Sequence, residues 1–175
     1  MKKILVIGSS GVGKTTFSQR LGETTGIEVV HLDRLNFSPN WVGMPKAEWR
    51  EKVAEITQGD SWIIDGNYSG TLEMRIAASD TVIFLEMPRL VCVCRILKRA
   101  VVYYGETRPD MAEDCNEKFD WDFVKWVWNY PRRTKPKVEA LLKKFQNEKT
   151  IIRLASKKQV ENFFADFSLD AIKSF

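Results

Sequence analysis

Ile4-Leu5-Val6-Ile7-Gly8-Ser9-Ser10-Gly11-Val12-Gly13-Lys14-Thr15 is the stretch that decides the fold. Four apolar residues run into the spacing G-x-x-x-x-G-K-[ST], and a helical pattern with Phe17 and Leu21 on one face follows. A strand, a glycine-rich turn and a helix in that order predict a phosphate-binding loop. Its glycines let the backbone N–H groups of Gly8, Ser9, Ser10, Gly11, Val12 and Gly13 turn inward around phosphate oxygens. The helix N-terminus, where Thr16 sits, adds its positive dipole end. Lys14 is expected to reach the β- and γ-phosphates and the Thr15 hydroxyl to ligate Mg²⁺. The expected ligand is ATP with Mg²⁺; the bland alternative is a flexible turn.

A chain of 175 residues predicts one domain spanning 1–175, with enough length to bury a core. No apolar run approaches a membrane span, so no membrane partner is expected. The N-terminal apolar run is too short for a signal peptide and reads as a first strand. Cys92, Cys94 and Cys115 lack metal-ligand spacing and read as reduced thiols of a cytoplasmic protein. The net charge of +4 is modest and its basic residues are clustered, so direct binding to DNA is not expected.

Five apolar runs suit buried parallel strands: Ile4–Ile7, Val29–Leu32, Trp62–Ile64, Thr81–Leu85 and Thr150–Leu154. Between them lie helical stripes. Trp49, Val53 and Ile56 share one face, and Val138, Leu141, Leu142 and Phe145 another. Val160, Phe163, Phe164 and Phe167 make a third, opened by Ser156 and Gln159 as a capping box. Phe119, Phe123, Trp126 and Tyr130 fit a further helical face, read as packing or as one base-stacking ring. The class is a three-layer α/β domain. Residues 101–118 are polar and weakly periodic, which predicts either a lid or an inert loop.

The second and third strands end near Asp33 and Asp65. Ligands of an open parallel sheet bind outside the carboxyl ends of its strands. Asp65 therefore reads as a carboxylate holding Mg²⁺ and Asp33 as a base or hydroxyl acceptor, or each as a cap or turn residue. Arg95, Arg99, Arg108, Arg132 and Arg133 bracket the candidate lid and read as a shell for the charge of a triphosphate, or as solvated helix charges. His31 is the only histidine, and no catalytic triad is supported.

These residues resemble the adenylate-kinase-related P-loop kinases. The shared features are the phosphate loop, Asp65-Gly66-Asn67-Tyr68 after the third strand, Arg95 and Arg99 on the helix entering the lid, and Arg132 and Arg133 after it. Nearly the whole chain is similar to the bacterial DNA topology modulation proteins, through His31-Leu32-Asp33, Ser61–Thr71 and Thr107–Ala112. The resemblance implies a P-loop NTPase fold with a five-stranded parallel sheet in the order 2-3-1-4-5, helices on both faces and a lid. It implies that Ser156 and Lys157 lie where adenine is contacted. Ser69 stands where adenylate kinases carry an arginine that grips the monophosphate, which leaves Arg75 as the substitute.

The combined expectation is an ATP-dependent phosphotransferase. Lys14, Asp33, Asp65, Arg99 and Arg132 form the candidate catalytic set. Arg95, Arg99, Arg133, Ser156 and Lys157 join the loop in holding ATP, and Thr15 and Asp65 hold the metal. A small-molecule or nucleotide acceptor is expected near Asp33, Arg34, Asn67, Tyr68, Arg75 and Arg108. The alternative is an ATP-dependent regulatory protein associated with DNA topology. Either a monomer or a homodimer fits.

Overall fold

A computed structural model describes residues 1–108 and 110–173, the side chains of 168–173 excepted; Pro109, in the expected lid, lies outside the described residues. Strand β1 (Lys3–Gly8) runs through the middle of a parallel sheet, with Ile4 to Ile7 buried on both faces. Its neighbours are β5 (Trp62–Asp65) and β6 (Thr81–Leu85). The edges are β2 (Val29–His31) and β7 (Thr150–Leu154), giving the order β2-β5-β1-β6-β7. Counted among these five long strands, that is the expected 2-3-1-4-5. All four pairings are parallel, and continuous apolar strands require cover on both faces.

That cover comes in two layers. On one face α1 (Lys14–Thr25), α5 (Arg89–Val102), α6 (Trp121–Arg133) and α8 (Lys157–Lys173) bring Phe17, Leu21, Ile96, Val127 and Phe164 against Ile4, Val6 and Ile83. On the other, α3 (Lys46–Gln58), α4 (Ser69–Ala78) and α7 (Lys135–Phe145) pack Trp49, Val53, Ile76 and Leu142 against Leu5, Ile7 and Ile64. Each fully buried Ile or Leu contributes about 1.5–3 kcal/mol. Among the described residues, no helix is long and apolar enough to cross a membrane.

Local chemistry departs from the sequence reading in several places. β2 stops at His31, and Leu32 opens the short helix α2 (Leu32–Asn36), so Asp33 sits in a helical first turn rather than at a strand end. A hairpin of β3 (Phe37–Ser38) and β4 (Val42–Gly43) follows, turned by a 3₁₀ segment in which Asn40 and Trp41 take positive φ. Phe119 lies outside α6, because Asp120 caps that helix by accepting from the Asp122 and Phe123 N–H groups; Val127 and Tyr130 are its buried positions. In the capping box at α8, the Gln159 N–H donates to Ser156 Oγ. Gln159 Oε1 accepts from Ala155 N–H, one residue before the expected partner.

The segment after α5 is far from a loose polar loop. Two isolated bridges, Tyr104 with Glu117 and Thr107 with Asn116, fold it back on itself, and Met111 and Cys115 are buried. It docks on the hairpin. Asn40 N–H donates to Asp114 O at 3.0 Å, Trp41 Nε1 to Asn116 O at 2.8 Å, and Cys115 Sγ to Ser38 O at 3.3 Å.

Candidate active site

The phosphate loop joins β1 to α1 through three glycines with positive φ. At Gly8 a Cβ would stand 2.4 Å from Leu85 O, and at Gly11 2.4 Å from Cys92 O, so the loop is pressed between β6 and α5 with no room for a side chain. The first intrahelical bond of α1 runs from Phe17 N–H to Gly13 O. The N–H groups of Lys14, Thr15 and Thr16 therefore emerge at the helix start, where an anion is favoured. A cavity of about 410 Å³ lies there, lined by Ser10, Gly11, Gly13, Lys14, Thr15 and Thr16 on one side and by Asp33, Asp65, Arg95, Arg99, Arg108 and Asp110 on the other.

Lys14 Nζ donates to Gly8 O at 3.2 Å and Ser9 O at 3.1 Å. Burial lowers its pKa, and the nearby Asp65 and Asp33 carboxylates pull the other way. Asp65 ends β5, is buried, and accepts from His31 Nδ1 across 3.0 Å. That hydrogen bond holds the imidazole pKa above its usual 6.5. His31 joins the site through the sheet, where it pairs in register with Asp65, a neighbour that no sequence spacing signals.

Asp33 accepts from Tyr68 OH at 2.8 Å, and burial together with that carboxylate pushes the Tyr68 phenol upward. Asn67 Oδ1 accepts from Gly8 N–H at 3.4 Å, and its buried Nδ2 has no hydrogen-bond partner among the described residues. Arg95 Nη1 donates to the Gly11 and Val12 carbonyls, closing the loop from the α5 side. Arg99 and Arg108 both reach Glu117, at 3.1 and 2.8 Å, and Arg108 also grips Asp110 at 2.9 Å. Asp110 Oδ2 in turn lies 3.5 Å from Thr15 Oγ1. Neither Glu117 nor Asp110 has a local sequence signal; only the fold brings them to the arginines.

A second cavity, of about 520 Å³, opens beside the first. Phe37 and Trp41 of the hairpin wall one side and Phe123 and Trp126 of α6 another, with Asn67 and Tyr68 also on its lining. The two cavities share Ser10, Lys14, Asp33, Arg99 and Arg108.

Several expected site residues stand elsewhere. Arg75 has no exposed surface and cannot grip a ligand there. Its guanidinium donates to Gly66 O at 3.0 Å, Tyr68 O at 2.9 Å and Thr71 Oγ1 at 3.3 Å. Arg132 and Arg133 line neither cavity. They ride the end of α6, and Arg132 is about 9 Å of helix rise beyond Trp126. Arg34 is exposed on α2 and lines neither cavity. Ser156 and Lys157 open α8 beyond β7 and are also outside both, while the adjacent Ala155 lines a third cavity together with Ser9.

A P-loop-type α/β domain with a folded-over segment is the class these features define. Compared with protein-family models and with curated proteins, the sequence gives no match. Among solved structures it is similar to an unliganded sugar kinase from Janibacter sp. HTCC2649, with a TM-score of 0.51 and 17% identity over 94% of this chain and 93% of that one. That likeness spans most of both chains and bears on the fold alone, a parallel-sheet α/β domain.

Proposed function

We propose that this protein transfers the γ-phosphoryl group of ATP to a hydroxyl of a small acceptor. One observation carries the reading: the phosphate cavity and the aromatic cavity meet at Lys14, Asp33, Arg99 and Arg108. A phosphoryl group passing from one cavity to the other crosses a wall of three cations and one carboxylate. Phosphoryl transfer is catalysed chiefly by positioning and by neutralising charge on the transferred group, and such a wall supplies both.

In this reading ATP lies with its phosphates on Gly8–Thr15. The acceptor hydroxyl sits at Asp33, which takes the proton as the hydroxyl oxygen bonds to the γ-phosphorus. The bond from that phosphorus to the β–γ bridging oxygen breaks, and ADP leaves. Tyr68 OH, donating to Asp33, holds the carboxylate toward the cleft. Thr15 and Asp65 fit a magnesium ion: both are hard oxygen donors lining the phosphate cavity, and Mg²⁺ commonly uses one or two protein oxygens plus phosphate. When bound, the ion neutralises phosphate charge. The resemblance to adenylate-kinase-related enzymes and to the DNA topology modulation proteins agrees with this reading through the phosphate loop, His31–Asp33 and the stretch around Asp65.

The test is an ADP-release screen over small hydroxylated metabolites, nucleosides and nucleoside monophosphates, run on the wild type and on Lys14→Ala. Acceptor-dependent ADP release that Lys14→Ala cuts by at least about a hundredfold is expected, on the scale of lost charge stabilisation in a transition state. ADP release that ignores every acceptor, or that survives Lys14→Ala, would overturn the assignment.

A further inference from the structure

We infer that the acceptor is an uncharged, hydroxyl-bearing heterocycle of the nucleoside class, not a phosphorylated nucleotide and not an open polyol. The inference rests on the phosphotransfer reading above and names the substrate of that same site.

Two features of the aromatic cavity lead there. The first is its walls. Phe37 and Trp41 form one edge-on pair, with centroids 5.3 Å apart, and Phe123 and Trp126 form a stacked pair at 6.0 Å, and all four rings line the same space. The hairpin that carries the first pair is held against the folded-over segment by the Trp41–Asn116 and Cys115–Ser38 contacts. Rings supplied by two different elements make walls for a flat aromatic ligand, and base–aromatic stacking is tolerant of which base is bound. A polyol needs a polar partner for nearly every hydroxyl, and the four ring faces offer none. Charged groups, Lys14, Arg99, Arg108 and Glu117 among them, also line the space, and Asp33, Tyr68 and Asn67 stand together on it, where the buried Nδ2 of Asn67 has no partner among the described residues. A ring between the walls and a hydroxyl at Asp33 satisfies both ends.

The second feature is charge. A nucleoside monophosphate needs cations for its own phosphate, in addition to those serving the triphosphate. Lys14 lies on the phosphate loop, and Arg99 and Arg108 share Glu117 at the wall between the cavities. Arg75, the remaining candidate, is sealed in the core. The other lining cation, Lys118, is exposed at the rim, with Asp120 nearby in sequence and also on the lining. Asp33 and Asp120 then face an incoming phosphate with like charge.

Calorimetric titration of the intact chain with adenosine, guanosine, cytidine and thymidine, with their 5′-monophosphates, and with glucose and gluconate tests this. At least one nucleoside is expected to bind at least tenfold more tightly than its monophosphate and than either sugar compound. Trp41→Ala and Trp126→Ala are each expected to weaken that nucleoside by about tenfold or more, the size of one lost stacking contact. Trp41→Phe keeps a ring and is expected to retain most of the affinity, which separates loss of stacking from loss of folding. Monophosphates that bind as tightly as nucleosides, sugars that bind in their place, no binding by any nucleoside, or Trp→Ala variants that bind unchanged would each overturn the inference. A nucleoside that binds with this ring dependence, yet releases no ADP from ATP, upholds the ring site and sinks the phosphotransfer reading alone.

Discussion

Replacing Arg75 by Met separates a structural strut from a substrate clamp. The guanidinium is fully buried, with burial pulling its pKa down to about 10, and it donates to Gly66 O, Tyr68 O and Thr71 Oγ1. Those acceptors belong to the turn after β5 and the start of α4, the stretch that presents Asn67 and Tyr68 to the cleft. Met fills similar volume but removes three hydrogen bonds; Tyr68 O keeps the Thr71 N–H and hydroxyl donors, while Gly66 O loses its guanidinium partner, at about 1–3 kcal/mol for each group left unsatisfied. Releasing a desolvated charge returns part of that cost, because a buried ion is expensive to hold. The expected net loss is about 3 kcal/mol, which lowers the Tm of a domain this size by about 6–12 °C. Arg75→Lys keeps a charge without the fork and is expected to recover less than half of the loss. Thermal melts by circular dichroism and urea titration measure both variants. A Met variant that melts within about 2 °C of wild type while losing phosphotransfer would refute the strut and return Arg75 to the cleft.

His31 is the single histidine, so its proton resonances report one titration. Its bond to Asp65 raises its pKa, so the folded state binds the proton more tightly than the unfolded chain. That contribution to stability is complete below the unfolded value of about 6.5 and is lost as pH rises through the higher folded value. A wild-type midpoint above 6.5 that falls in Asp65→Asn is expected; a wild-type midpoint at or below 6.5 contradicts the pair. Asp110→Asn removes a carboxylate that touches Thr15 and holds Arg108 in the phosphate cavity. Mg²⁺·ATP is expected to bind about three- to tenfold more tightly, through relief of like-charge repulsion and release of the arginine. Unchanged or weaker binding by calorimetry at fixed salt would remove Asp110 from the nucleotide site.

The sheet was legible because its signal is local: largely apolar runs of three to five residues, each followed by a helical period, specify covered parallel strands whatever lies around them. The phosphate loop was legible for a related reason, since Gly8 and Gly11 meet backbone carbonyls that leave no space for a Cβ. Asp65 followed from its place at the end of β5. The rest of the site is written in contacts between distant segments. Glu117 meets Arg99 across 18 residues and Arg108 across nine, and no single helix or strand contains both members of either pair. The two-residue strands β3 and β4 are too short to show alternation, so the hairpin that places Phe37 and Trp41 left no trace. Arg75 has the residue type of a ligand clamp and the location of a core side chain, and only burial tells them apart. The hairpin and the segment after α5 each lack a core of their own and hold one another through Trp41, Cys115 and Asp114. Their contact depends on the sheet placing β2 and α5 so that the segments following them meet. The aromatic cavity draws its lining from the hairpin, from the segment after α5 and from α6, so sequence changes in either loop alter the chamber without touching the sheet that carries it.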